Sequence, residues 1–169
     1  MLRCETNVLE YSGLPLEMIK RSFTTITIDN KPFNVRTFVI GDYTDEKPTL
    51  VMTHGAMRSS LSLNRMLKPL SKKYRLVIFD QMSWGFNTRL QGCSGIESAE
   101  AAENWMREWI LKTINALDVP DKFYLYGHSV GAWLVSQYAS QCPERIEALF
   151  LSSPLGMSDY DEETYPGLA

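Results

Sequence analysis

The segment Phe123-Tyr124-Leu125-Tyr126-Gly127-His128-Ser129-Val130-Gly131-Ala132-Trp133 limits the possible folds of this chain more than any other. A short apolar run passes, through Gly-His-Ser-Val-Gly, into a helical pattern that continues from Val130 to Gln141 and stops near Pro143. A strand that turns this abruptly into a helix forces the central residue, Ser129, into a strained backbone conformation with its side chain projecting from the sheet. Gly127 and Gly131 leave room for the tight crossing. The helix N-terminus sets free N–H groups and a positive dipole end beside the serine hydroxyl. The bland alternative is a Gly-rich turn whose serine caps a helix.

The remaining chain supplies a sheet for that turn. Residues 23–28 and 33–40 alternate and are joined by Asp29-Asn30-Lys31-Pro32, which predicts a β-hairpin. Residues 14–22 read as a short amphipathic lead-in, with Leu14, Leu16, Met18 and Ile19 expected to pack against that hairpin, the alternative being a membrane-leaning helix. Beyond it lie four continuous apolar runs, at 50–52, 76–79, 123–126 and 148–151, as expected of strands buried on both faces of a parallel sheet. Between them, Leu63, Met66, Leu67 and Leu70 repeat at helical spacing, as do Ala102, Met106, Trp109, Thr113 and Leu117. Ser94 and Glu97 form a candidate capping box for the second helix. Alternating strands and helices predict an α/β fold: a doubly wound, mostly parallel sheet with an N-terminal antiparallel hairpin. The expected division is a lead-in at 1–21, a core at 22–156 and an acidic tail at 157–169.

Composition removes several function classes. A net charge of -3, from 17 basic and 20 acidic side chains with no dense Lys/Arg cluster, offers nucleic acid no electrostatic footprint. Cys4, Cys93 and Cys142 form no CxxC pair, so no disulfide framework or metal knot is expected. The first residues lack an apolar signal core, and Glu5 and Glu10 disfavour a mitochondrial presequence. No apolar run nears the roughly 20 residues that span a bilayer. An intracellular protein without metal or cofactor is the expectation.

A second motif, His54-Gly55-Ala56-Met57, comes directly after the 50–52 strand. With the turn FDQMSWGFNT, the segment YLYGHSVGAW and PERIEALFLSSPLG, it makes the chain resemble the α/β-hydrolase superfamily from about residue 22 onward. Within it, the stretch from Glu103 to Trp133 is similar to the abhydrolase branch of N-acyl phospholipid hydrolases and lipase coactivators. The resemblance implies that Ser129 is a nucleophile and that the N–H groups of Ala56 and Val130 form an oxyanion hole, with Met57 the alternate donor. His54, Gly55, Gly127, His128 and Gly131 would support them. It also implies an acyl ester or amide substrate, lipids among the candidates. Coactivators of this branch lack the serine, so Ser129 favours the hydrolase side. Asp80 matches an aspartate that supports a loop. The branch's H-x-x-x-x-D acyltransferase motif does not occur here.

A serine nucleophile needs a base. The family order places acid and histidine after Ser129, yet the only histidines are His54 and His128. Neither is expected to reach the hydroxyl. Asp159, Asp161, Glu162 and Glu163 lie in a polar tail that reads as a solvated loop, with Asp159 the one candidate acid. By this reading the hydrolase fold is incomplete. The run Ala148, Leu149, Phe150 and Leu151 would be an open apolar edge, covered by a C-terminal half or a second polypeptide. The alternative is an inactive, truncated hydrolase kept as a subunit of a larger complex. Of the tryptophans, Trp105, Trp109 and Trp133 are expected in the core, and Trp84 near the site.

Overall fold

A computed structural model describes residues 3–89 and 98–156. The hairpin comes first: β1 (Ile19–Ile28) pairs antiparallel with β2 (Lys31–Ile40), Ile28 opposite Lys31 and Ile19 opposite Ile40. Its two-residue loop places Asp29 and Asn30 at φ 49° and 59°, the left-handed pair that matches strand twist. The remaining strands are β3 (Thr49–Thr53), β4 (Arg75–Phe79), β5 (Phe123–His128) and β6 (Ile146–Ser152). They lie in the order β1-β2-β4-β3-β5-β6, with β2 antiparallel to β4 and all later pairings parallel.

Alternate residues of the central strands face two separate cores. Val51, Val77 and Leu125 face one side, packed by α3 (Ala99–Ala116) and α4 (Val130–Gln141) through Trp109, Ile110, Leu134 and Tyr138. Leu50, Met52, Leu76 and Ile78 face the other, packed by α1 (Arg3–Glu10) and α2 (Asn64–Ser71) through Leu9 and Leu67. From β3 the chain winds through α2 to β4 on one side, then returns through α3 to β5 on the other. The winding reverses between β3 and β5, and their carboxyl ends border the crevice where open α/β sheets bind ligands.

Several expectations need correction. β1 begins at Ile19, so residues 19–22 belong to the hairpin and a boundary at residue 22 cuts a strand. Leu14 and Leu16 do pack against the second core, while Met18 is exposed. Helix α1 has no announcement in the sequence pattern. It is clamped by Glu5, whose carboxylate meets Arg36 at 2.7 Å with both side chains buried, and the Arg36 guanidinium stacks over Phe23 and Phe38. The 148–151 run forms a strand, but β6 is an edge and is not buried on both faces: Phe150 is 44% exposed. Trp133 and Trp105 are only partly buried. The Ser94–Glu97 capping pair, Cys93 and the 157–169 tail lie outside the described residues. Ser98 is the cap seen at α3, accepting from the Ala101 N–H at 3.1 Å.

Among the described residues, Trp109 is the largest side chain buried completely, projecting from α3 onto the Phe79 ring of β4. Trp109→Ala is expected to lower unfolding free energy by about 3–5 kcal/mol, whereas Tyr11→Ala, at an exposed site, should change it by less than about 0.5 kcal/mol. Urea denaturation monitored by far-UV circular dichroism checks both.

Candidate active site

β5 ends at His128, α4 begins at Val130, and Ser129 alone makes the turn with φ 56° and ψ -122°. This is a conformation that L-residues avoid, at a cost of about 1–3 kcal/mol. Its backbone groups are tied from both sides. The Ser129 N–H donates to the Ser152 carbonyl at 2.9 Å, and its carbonyl accepts from the N–H groups of Ala132, Trp133 and Leu155. The hydroxyl makes no capping bond and has no hydrogen-bond partner among the described residues. The capping-serine alternative therefore has no support.

Three glycines allow the crossing. A Cβ on Gly127 would lie 2.4 Å from the Gly131 carbonyl oxygen. One on Gly131 would lie 2.2 Å from the His54 carbonyl oxygen. One on Gly55 would lie 3.2 Å from Ser129 Cβ and 3.0 Å from His128 Cδ2. The loop after β3 is thus pressed directly against the turn after β5, in keeping with the parallel register that pairs Thr53 with Gly127. Ala56 and Met57 are exposed on that loop, Met57 at φ 58°. Neither the Ala56 N–H nor the Val130 N–H has a hydrogen-bond acceptor among the described residues.

The two histidines are engaged elsewhere. His54 is fully buried. Its Nδ1 lies 2.6 Å from the Gly55 carbonyl oxygen, which can only accept, and its Nε2 lies 3.0 Å from the Gln81 backbone N–H, which can only donate. The ring must carry its proton on Nδ1 and leave Nε2 bare. Burial lowers its pKa, against the opposing pull of the Gly55 carbonyl and the Asp80 carboxylate, so the imidazole is neutral. The 3.6 Å between Nε2 and Asp80 Oδ1 is accordingly proximity and not an ion pair. His128 turns its Nδ1 toward the carbonyl and hydroxyl oxygens of Ser152, at 3.2 and 3.3 Å.

Asp80 is also fully committed. Its carboxylate accepts the Ser60 N–H at 2.6 Å and the Phe86 N–H at 2.9 Å. Gly85, at φ 58°, lets that carboxylate approach so closely that a Cβ would sit 1.9 Å from Oδ2. Asn87 ties the same loop by donating to the Asp80 and Gln81 carbonyls, both at 2.7 Å. Trp84 is partly buried on this loop. Neither Gln81 nor Ser152 stands out in the sequence. Gln81 lies inside the FDQMSWGFNT turn, but nothing in its spacing announces a role.

The model of the alpha/beta hydrolase fold matches residues 48–168. The chain belongs to that family. This α/β-hydrolase chain is 31% identical over 148 residues to an Arabidopsis thaliana 1-acylglycerol-3-phosphate O-acyltransferase, covering 87% of the chain and 34% of the relative. It is 29% identical over 122 residues to the Caenorhabditis elegans abhydrolase domain-containing protein abhd-5.2, covering 69% of the chain and 26% of that protein. The crystal structure of a bacterial membrane phospholipase A superposes with a TM-score of 0.69 at 21% identity, over 94% of this chain and 45% of that one. The chain thus spans about a third of the length of the first curated relatives it matches. Among the described residues of this α/β-hydrolase chain, no group of three or more His, Cys, Asp or Glu side chains could hold a metal ion, and no helix is long and apolar enough to cross a membrane.

A histidine kept neutral by burial gives a pH signature. Unfolded, His54 regains its ordinary pKa of about 6.5 and binds a proton that the folded chain refuses. Stability should therefore be fully present above pH 6.5 and fall as pH drops below it. Thermal melts between pH 7.5 and 5 should show this drop in the parent chain, and a smaller one in His54→Asn.

Proposed function

We propose that this chain carries the nucleophile and oxyanion half of a serine hydrolase acting on acyl esters or amides. In the forward step Ser129 Oγ attacks the substrate carbonyl carbon and a base takes the hydroxyl proton. The resulting oxyanion is held by the Ala56 and Val130 N–H groups. Collapse expels the alcohol or amine, which takes up that proton, and leaves an acyl-Ser129. Water then attacks the acyl carbon, returns the serine and releases the acid. The observation that carries the reading is Ser129 itself: a strained residue, at φ 56°, with a hydroxyl free of partners among the described residues and the Gly55 loop against its Cβ. Strain held in this way at a ligand crevice is a mark of function.

The histidine base comes from outside these 169 residues, since His54 is buried and His128 is turned to Ser152, and so, Asp159 apart, does its acid. We place them on a polypeptide segment that pairs with the open edge of β6, whether a further part of the same protein or a partner. Lipidic acyl groups are the favoured substrates: the Arabidopsis relative is named a 1-acylglycerol-3-phosphate O-acyltransferase, the Leu155 N–H bonds to the Ser129 carbonyl with the Leu155 side chain exposed, and exposed Met57 lies on the loop whose Gly55 meets Ser129.

A second reading has an observation of its own. Among the described residues no imidazole is directed at the hydroxyl, which suits a catalytically silent subunit that keeps the turn as scaffold. A fluorophosphonate probe separates the two. The hydrolase reading expects covalent labelling of the native preparation, located at Ser129 by mass spectrometry and lost in Ser129→Ala. Absence of label in every native preparation leaves the scaffold. Amide hydrogen exchange tests the edge independently. Residues 146–152 should exchange more slowly in the native assembly than in the isolated chain; equal exchange in both would remove the strand-pairing proposal.

A further inference from the structure

The Ala56 N–H sits on an exposed loop, and an oxyanion donor there must be aimed. From the bonds around His54 we infer that Gln81 is a positioning residue that sets its direction; the inference rests on the hydrolase reading above. Gln81 is buried and holds His54 at two points. Its backbone N–H donates to Nε2, and its side-chain amide donates to the His54 carbonyl. The atom facing that carbonyl must be the amide nitrogen, because a carbonyl oxygen only accepts.

The consequence passes through one peptide. With Nε2 occupied by a donor, the ring proton sits on Nδ1 and is given to the Gly55 carbonyl at 2.6 Å. That carbonyl is thereby pulled toward the buried imidazole. In a trans peptide the C=O and the next N–H point in opposite directions. Fixing the Gly55 carbonyl inward turns the Ala56 N–H away from the buried imidazole, at a position where Ala56 is exposed and the preceding Gly55 lies beside Ser129.

Gln81 reaches the other donor's element as well. A Cβ on Gly131 would lie 2.6 Å from Gln81 Nε2 and 2.2 Å from the His54 carbonyl oxygen. The amide is therefore packed between the end of β3 and the first turn of α4, adjacent to Val130. One side chain spaces the loop that carries the Ala56 N–H from the helix that carries the Val130 N–H. Protonation of His54 would put a second N–H opposite the Gln81 N–H and break the chain of bonds at its first link.

The test uses the full chain, isotopically labelled. In the parent, nuclear magnetic resonance of the His54 ring should find the proton on Nδ1 and a bare Nε2, and the Ala56 amide should give the residual dipolar coupling of an ordered N–H. A proton on Nε2 in the parent overturns the inference without any variant. Gln81→Met keeps the side-chain length and removes the donor. It should scale the Ala56 coupling toward zero, leave couplings in β3 and β4 unchanged and, in the native preparation, slow the maximal rate of fluorophosphonate labelling about tenfold or more with half-saturation within about twofold. Gln141→Met, at an exposed site on α4, should change none of these. Parent-like Ala56 coupling and labelling rate in Gln81→Met overturn the inference. If the Ala56 coupling collapses in Gln81→Met but Ser129 labels in no preparation, the positioning stands and the nucleophile reading fails.

Discussion

Two backbones meet at the carboxyl end of the sheet with no space for a Cβ at the glycines between them. The His54 carbonyl at the end of β3 lies where a Cβ on Gly131 would be, and the Gly131 carbonyl lies where one on Gly127 would be. This contact dictates the angle at which α4 leaves β5, and through it the conformation of Ser129. A gentler turn would relax φ at Ser129 but would drive α4 away from β3 and open the core formed by Leu134, Val135 and Tyr138. The strain is held in place by four backbone hydrogen bonds, each a typical net contribution of about 1 kcal/mol, enough to offset a penalty of about 1–3 kcal/mol.

The charged and polar groups beneath this contact serve geometry. Asp80 spends both carboxylate oxygens on backbone N–H groups of two different loops, and Asn87 closes the second loop from the other side. The imidazole of His54 stays neutral in the same pocket because burial outweighs the nearby carboxylate. A proton-transfer role needs a group that can change its charge near the substrate. His54 is buried and neutral, and Asp80 has both oxygens bound to backbone N–H groups, so the polar layer acts as a shelf on which the loop N–H groups and the serine rest.

Much of this arrangement is legible in residue order. Strands β3, β4 and β5 are continuous apolar runs because both their faces are covered, and α4 begins and ends where Gly131 and Pro143 suggest. The three glycines of the crossing are legible because only glycine tolerates such an approach. What escapes depends on contacts distant in sequence. Helix α1 is held by Glu5 against Arg36, thirty-one positions away, and eight residues with little apolar content give no periodic signal for it. Gln81 reads as one polar residue in a turn until the fold brings His54 beneath it. β6 has the composition of an inner strand although it is an edge, since composition reports the environment a strand is suited to and not the neighbours at hand.

That mismatch at β6 bears on where a base could come from. The chain leaving β6 bends back over the site: the Leu155 N–H bonds to the Ser129 carbonyl, and Gly156 lies beside the Trp133 ring. β6 therefore borders the serine directly, with Ser152 beside His128 in register. Adjacent strands lie about 4.8 Å apart, so a parallel strand added at the β6 edge would end roughly 10 Å from β5. A histidine on the loop after such a strand could span that gap from the side that the Gly55 loop leaves free. Approach from the β3 side is closed, because His54, Gln81 and Gly131 already fill it at contact distance. The β6 edge and the Ser129 hydroxyl, unpaired among the described residues, thus lie close together, so the segment proposed to dock on β6 would reach both.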